Sequence, residues 1–483
     1  MKKRICFLLV VALLFACCPA VTLQAAAVGE IFYNYRIENG GAVIEAFDRL
    51  PAGDVVIPDT LGGYPVTRLE DYLFYQANEL TSVTIPATVE YIGDCVFYYC
   101  EKLTGIYIDE RNPYFSNDEA GVLFNKNKTV LLAAPGAYKG SYTIADTVKE
   151  IGKGAFKGCN GLTQVVFPTS VESIGLSAFE QCDSLRAVTI PGNISVIGRM
   201  AFFACDGLRQ VNIGSGVSFI EDYAFSWCDN LTEVTLPETI SHFTGLAFGG
   251  CSGLNAIKVH PENPWYTDMD GIVYSKDMTQ LCCVPSGYTG SYVAPDSLTE
   301  VGQGAFMECM GLTSVVLPDN VLVIGEHAFY SCYNLEWMYA GKGVQIIWDN
   351  AFSQCVGLKK IMLGDRLLRV ADYAFANCAR LTDIYYLGTG EQWNGIFLGE
   401  YNDSLQYAQV HFGEDMPLFI PGDLDNNQIV DEDDAIYLLQ YVLMPEFFPV
   451  YQPVDFDGNR QINEDDAIYL LQHVLMPNLF PLQ

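Results

Sequence analysis

Cysteines set on a 23-residue grid leave this chain few folds to choose from. Cys159, Cys182, Cys205, Cys228 and Cys251 follow one another at steps of 23, and Cys309, Cys332, Cys355 and Cys378 repeat the step. Cys100 lies 59 residues before Cys159, Cys309 lies 58 after Cys251, and Ala77 holds the marker's place in a still earlier unit. Three residues before each marker stands a phenylalanine, from Phe74 and Phe97 through Phe179 and Phe248 to Phe375. A leucine follows most markers at the same distance, as at Leu162, Leu185, Leu208 and Leu358. Within a unit, Val188, Thr189 and Ile190 alternate in the manner of a strand, and Pro191 ends the run where an amide donor is dispensable. Ile197-Gly198 then leads to the next Ala201-Phe202. One such segment buries little alone, so a period of this length means that the units stack and share a core.

The two long gaps match each other. Asn112-Pro113-Tyr114-Phe115 opens one and Asn263-Pro264-Trp265-Tyr266 the other. Gly121-Val122-Leu123 corresponds to Gly271-Ile272-Val273, and Gly140-Ser141-Tyr142 to Gly290-Ser291-Tyr292. These are longer coils of one array, not domain boundaries. Of 16 cysteines, all but Cys6, Cys17 and Cys18 lie beyond an N-terminal leader. Equivalent residues on stacked coils sit about 4.8 Å apart with parallel Cβ vectors, whereas a disulfide wants Cβ atoms about 3.8 Å apart. The remaining odd count also forbids complete pairing. The ladder reads as buried free thiols acting as small hydrophobes, since one thiol per coil does not give zinc four converging ligands.

Half of the 483 residues are hydrophobic, ample for a core, and only 17% are charged. Those charges are lopsided, 58 acidic against 26 basic, for a net −32. Nucleic acid, held through Lys and Arg on phosphate, and anionic membranes are poor partners for such a surface. Lys2, Lys3 and Arg4 precede an apolar run from Ile5 to Cys18 and the small residues Ala25-Ala26-Ala27, the layout of an export signal. The run is shorter than the roughly 20 residues of a membrane span. Leu14-Phe15-Ala16-Cys17 is similar to a lipoprotein box, but Phe15 is large for its place, so cleavage near Ala27 is expected over lipidation. The expectation is a secreted, extracellular protein with no membrane insertion.

The pattern Ala-Phe-x-x-Cys-x-x-Leu-x-x-Val-x-Ile-Pro with its following Ile-Gly covers roughly Leu73 to Tyr386. It resembles the leucine-rich repeats of the BspA-like class, common in secreted and surface proteins of bacteria. Tyr33 to Arg68, with Ile57-Pro58 and Gly63-Tyr64-Pro65-Val66, looks like that family's opening cap. Tyr386 to Phe412, with Gln392-Trp393-Asn394, looks like its closing cap. The resemblance implies a β-rich leucine-rich-repeat solenoid of 23-residue coils that binds other macromolecules, an extracellular protein or a glycan.

After Phe412 the period stops and acidity concentrates. Two twelve-residue stretches, 32 residues apart, carry oxygen-bearing side chains at positions 1, 3, 5, 9 and 12. The first has Asp423, Asp425, Asn427, Asp431 and Asp434; the second has Asp455, Asp457, Asn459, Asn463 and Asp466. The backbone carbonyls of Ile429 and Gln461 stand at position 7. Calcium takes about six to eight such oxygens, so two calcium ions are expected. Position 12 is Asp where an ordinary EF-hand has Glu, and position 6 is Gln428 or Arg460 where it has Gly. Glu432 to Pro445 and Glu464 to Pro477 differ only at Tyr441 and His473.

Two loops, each followed by one helix with no entering helix, resemble a type I dockerin over Gly422 to about Pro481. The resemblance implies a small all-α calcium-binding module docking onto a cohesin of a scaffoldin, within a cellulosome-like assembly at the cell surface. It assigns cohesin contacts to Glu432, Asp433, Leu439, Gln440 and Met444 in one copy, and to Glu464, Asp465, Leu471, Gln472 and Met476 in the other. The missing position-6 glycines depart from the pattern. The expected organisation is a leader over 1–27, an opening cap over 28–72, the array over 73–386, a closing cap over 387–412, a linker over 413–421 and the dockerin-like module over 422–483.

Dockerin-bearing proteins are often glycoside hydrolases, so a polysaccharide-degrading enzyme is one alternative, and a host-cell adhesin is another. A glycosidase sets two carboxylates on facing walls of a cleft, and a stacked solenoid offers no obvious cleft. The histidines His242, His260, His327, His411 and His473 are scattered, and neither HExxH nor GxSxG occurs. Gly214-Ser215-Gly216 falls in a repeat turn. No catalytic residue is assigned, and a non-catalytic role is expected. For the array's ligand, the residue seven after each marker lies between two inward positions, so strand alternation turns it outward. Along that column Tyr339, Met362 and Tyr385, with Trp337 two residues earlier on the same face, gather near the C-terminal end. Exposed aromatics of this kind suit sugar rings or a protein hot spot.

Overall fold

The computed structural model describes residues 24–28, 31–413, 432–443, 456 and 463–475. Each ordinary coil has three walls. On the first, Val188 and Ile190 point inward while Ala187 and Thr189 face out, the alternation read from the sequence. Parallel pairing carries it to the next coil, from Ala187 with Gln210 to Ile190 with Ile213. The second wall is made of two-residue strands, such as Val196–Ile197 paired with Phe219–Ile220.

The third wall is a turn, and it explains the Phe–Cys ladder. The amides of Ser177, Phe179 and Gln181 donate to the carbonyls of Arg199, Ala201 and Phe203 on the next coil, at 3.0, 2.7 and 2.8 Å. The intervening amides of Ala178, Glu180 and Cys182 bond within the turn. This alternation needs left-handed backbone at two residues per turn, here Ser177 (φ 57°) and Gln181 (φ 58°), at a cost of about 1–2 kcal/mol each for a non-glycine residue. The cross-coil hydrogen bonds offset it. Phe156, Phe179, Phe202 and Phe225 stack ring on ring at 5.0, 5.1 and 5.3 Å, with interplanar angles of 9° or less. The cysteine behind each ring is small enough to leave it room. Its thiol also donates to the preceding coil's Phe carbonyl: Cys182 to Phe156 at 3.2 Å, Cys205 to Phe179 at 3.1 Å, Cys228 to Phe202 at 3.2 Å. All thirteen described cysteines are buried and unbridged.

In the long coils a three-stranded antiparallel excursion is inserted: Phe115–Asn117, Leu123–Asn125 and Val130–Ala133 in one, Tyr266–Met269, Ile272–Ser275 and Gln280–Cys283 in the other. Each excursion is pinned by the motif that opens it. Asn112, fully buried, donates to the carbonyls of Pro86 and Val89 and accepts from the amides of Tyr114 and Phe115, all at 2.8–2.9 Å. Asn263 repeats the arrangement with Pro237, Ile240, Trp265 and Tyr266. The array runs on through both, since Val130–Ala133 pairs with Glu150–Ile151 and Gln280–Cys283 with Glu300–Val301. The apolar core nevertheless divides there into three clusters.

At the opening end the hairpin Ile31–Glu38 and Gly41–Phe47 joins Tyr64–Leu69, with Arg36 held among Glu38, Glu45 and Glu70. A strand Gln24–Val28 pairs with Ile31–Glu38, so cleavage at Ala27 would leave only its last residue. At the closing end Phe397–Leu398 and Gln409–Phe412 extend the two sheets by one strand each. A short helix, Gly390–Asn394, whose capping box joins Thr389 and Gln392, precedes them, and a second, Asp403–Tyr407, lies between them. The helices Glu432–Leu443 and Glu464–Leu475 pack through Ala435, Leu438, Ala467 and Leu470, with Phe456 beside them. Among the described residues no helix is long and apolar enough to cross a membrane.

Candidate binding surfaces

The C-terminal helices begin where the sequence places position 10 of each loop. Asp434 and Asp466, at position 12, are both 0% exposed. Asp466 accepts from the amides of Phe456 and Asn463 at 2.8 and 2.9 Å, and the Asn463 side chain accepts from the Asp465 amide at 2.7 Å. The carboxyl is thus drawn back over the start of its own helix, where the helix dipole favours negative charge. Among the described residues no three Asp, Glu, His or Cys side chains converge. Asp423, Asp425, Asn427, Ile429, Asp431, Asp455, Asp457, Asn459 and Gln461 lie outside them, as do Met444 and Met476.

Of the expected cohesin contacts, Glu432 and Asp433 open the first helix, and Glu464 and Asp465 are exposed at the start of the second. Leu439 and Leu471 are 39% and 38% exposed, while Gln440 and Gln472 are half-buried. Leu438 and Leu470, one residue earlier, form the helix–helix core. Ile436 and Ile468 are exposed as well, so each helix shows an apolar pair at i and i+3, one face by helical periodicity.

On the array, the expectation of an exposed C-terminal cluster is corrected. Met362 and Tyr385 are 2% and 8% exposed, and they form a small apolar cluster with the half-buried Trp337, Tyr339 and Leu387. The column does sit on the outer face, paired in register from Tyr339 to Met362 to Tyr385 to His411. Four large side chains in succession cover one another's flanks, and the His411 ring stacks on Tyr385 at 4.6 Å. His411 also meets Asp383 at 2.9 Å, and that contact holds the Asp383 carboxyl below its usual range.

Accessible aromatics gather instead on the turn wall of the first two coils. Tyr72 is 52% exposed and meets Tyr75 and Tyr98 edge to face, with centroids 6.0 and 6.4 Å apart. Tyr75 meets Tyr99 at 5.6 Å. From the third coil, Lys157 lies 4.7 Å from the Tyr98 ring centroid and 5.7 Å from that of Tyr99. Its ammonium is taken by the nearly buried Glu180 at 2.8 Å. Lys153 pairs with Asp94 at 2.9 Å beside them. Burial, then the neighbouring Cys95 thiol, push the Tyr98 hydroxyl's pKa up. The signal for this cluster was present in the 23-residue frame, at the positions two before and one and two after each Phe. The strand column drew attention to a different wall.

Residues 45–119, 139–259 and 288–395, more than half of the chain, match the BspA type leucine-rich repeat region, in six copies. The intervals between these matches, 120–138 and 260–287, fall on the two long coils. Among solved structures, the chain is similar to a leucine-rich cell surface protein from Faecalibacterium prausnitzii A2-165, with 27% identity over 77% of this chain and 97% of that one and a TM-score of 0.47. It is also similar to the pneumococcal vaccine antigen PcpA, with 19% identity over 86% of this chain and 91% of that one and a TM-score of 0.50, a likeness of fold alone. No curated protein matches. Stacked 23-residue coils and three long family matches have one reading: the chain belongs to the BspA-type leucine-rich repeat family.

Proposed function

We propose that this is a secreted, non-catalytic binding protein. Its C-terminal module docks with calcium onto a cohesin of a scaffoldin, and its array holds an extracellular protein or glycan. The observation that carries the anchoring half is the pair of buried carboxylates, Asp434 and Asp466, at matching places in two copies. A carboxylate out of water is costly unless a cation or hydrogen bonds compensate it. Backbone amides meet part of that cost at Asp466, and a cation would also offset the repulsion among the several carboxylates of one loop. The expected ligand set is all oxygen, the chemistry of a hard cation. Bound calcium would supply the positive charge that this set lacks, with Asp434 and Asp466 as its position-12 ligands. The exposed Ile436, Leu439, Ile468 and Leu471 give a partner apolar anchors that the helix pair itself leaves unburied. The binding half rests on the solenoid, whose broad outer walls suit recognition.

The test is capture of the full chain by an immobilised type I cohesin. Asp434→Ala with Asp466→Ala is expected to abolish capture, and the wild type to release no reducing sugar from plant polysaccharides. Undiminished capture by the double variant contradicts the anchor, and sugar release contradicts the non-catalytic role.

A further inference from the structure

We propose that the tyrosine cluster opening the array is a binding site for a neutral glycan, an assignment that rests on the array's binding role above and names its ligand class. Tyr72 and Tyr99 occupy left-handed turn positions, at φ 60° and 57°. At the same two places other coils carry Gly154, Gly250 or Asn377, which tolerate this backbone, but also Tyr223, Trp227 and Tyr373. What sets the opening coils apart is that four tyrosines from two coils meet there, with Tyr72 half in solvent and adding little to the core. The rings are braced by their edge-to-face contacts and by Lys157. Lys157 is already paired with Glu180, so it supports the rings and is not a counter-charge for an anion.

Beside them lies a cavity lined by Asp94, Cys95, Tyr98, Lys153 and Gly154. Tyr98 is 7% exposed, and its hydroxyl meets the Cys95 thiol, a weak partner, with no nitrogen or oxygen in hydrogen-bond geometry. It occupies the space that a Cβ on Gly154 would take, 1.4 Å away. A buried hydroxyl left so is a cost, and a ligand hydroxyl entering the cavity would relieve it. The mouth presents both signs of charge, Asp94 and Lys153, while the chain as a whole carries −32. That combination disfavours polyanions and suits uncharged hydroxyls.

Size points the same way. Three partly exposed tyrosines offer about 300 Å², taking half or more of each as already covered. A stable protein interface needs roughly 800 Å² per partner. Aromatic faces for the apolar side of a sugar ring, with polar groups at the edge for its hydroxyls, fit the smaller ligand.

Calorimetry of the full chain with cellohexaose, xylohexaose, mannohexaose and maltohexaose, in excess chelator so that anchoring plays no part, tests the site. At least one is expected to bind. Tyr72→Ala with Tyr75→Ala is expected to weaken binding roughly tenfold, and Tyr98→Phe about fivefold. Tyr373→Ala with Tyr401→Ala, at the far end, should leave binding unchanged. No binding of any of the four, or binding that survives the first double variant, overturns the assignment. If that variant melts early, Tyr98→Phe decides, and unaltered affinity overturns it. Cohesin capture in calcium is scored separately: its failure would count against the anchor and leave the sugar result standing.

Discussion

Single residues do three different jobs in this chain, and each can be removed on its own. Asn112 and Asn263 each satisfy four backbone groups where an excursion leaves the array. Either one changed to Ala is expected to cost about 2–4 kcal/mol, read as a lower melting temperature. A change within error would mean that water replaces the side chain freely. Burial pushes the ladder thiols Cys100 and Cys159 up to about 12, and in an excursion strand, burial, then Glu300 and Asp277, push Cys282 up to about 12. Iodoacetamide at mildly alkaline pH should therefore label the described cysteines only after unfolding, and rapid labelling of the native protein would contradict the packing. Asp383, lowered by His411, sets a pH dependence of known sign. Its contribution is present above the ordinary carboxylate pKa of about 4 and fades as pH falls through the lowered folded value. The melting-temperature gap between wild type and Asp383→Asn should therefore close on acidification; a gap that widens would be wrong for this pair.

Elements follow from the 23-residue frame, which is why so much of the fold could be read beforehand. Phe, Cys, Leu and the Val-x-Ile alternation gave the inward positions directly, because every one of them recurs in the same surroundings. Removing residues 183–205 deletes one whole period and rejoins Cys182 to Asp206 in register. It is expected to leave a folded, slightly less stable array. Removing 183–204 should break all three ladders and the cooperative melt with them; equal melts would mean that register is not what holds the coils. What the frame did not reveal was the cover over Met362 and Tyr385. Alternation says which way a side chain points, whereas exposure depends on how large its neighbours on adjacent coils are. The turn wall was missed for a related reason: its left-handed residues have no periodicity of two or of 3.6 to betray them.

The whole molecule couples a long array, whose core divides into three at the excursions, to a small acidic module of two near-identical helices. The array draws its stability from stacking, so chelation should leave its melting unchanged. The module has a small core and buries Asp434 and Asp466, so its folding should depend on metal, as is general where binding free energy is folding free energy. Because the copies differ at only one position from Glu432 to Pro445 against Glu464 to Pro477, either helix should be able to serve. Glu432, Asp433 and Gln440 changed together are expected to weaken cohesin binding little, and the same changes in both copies to destroy it. The central claim is calcium-dependent anchoring of a binding array. Its most direct test is calorimetric titration of a type I cohesin into the full chain, once with calcium and once with excess chelator. Saturable binding that vanishes in chelator and returns with added calcium is the result expected; tight binding in chelator, or none in calcium, would contradict it.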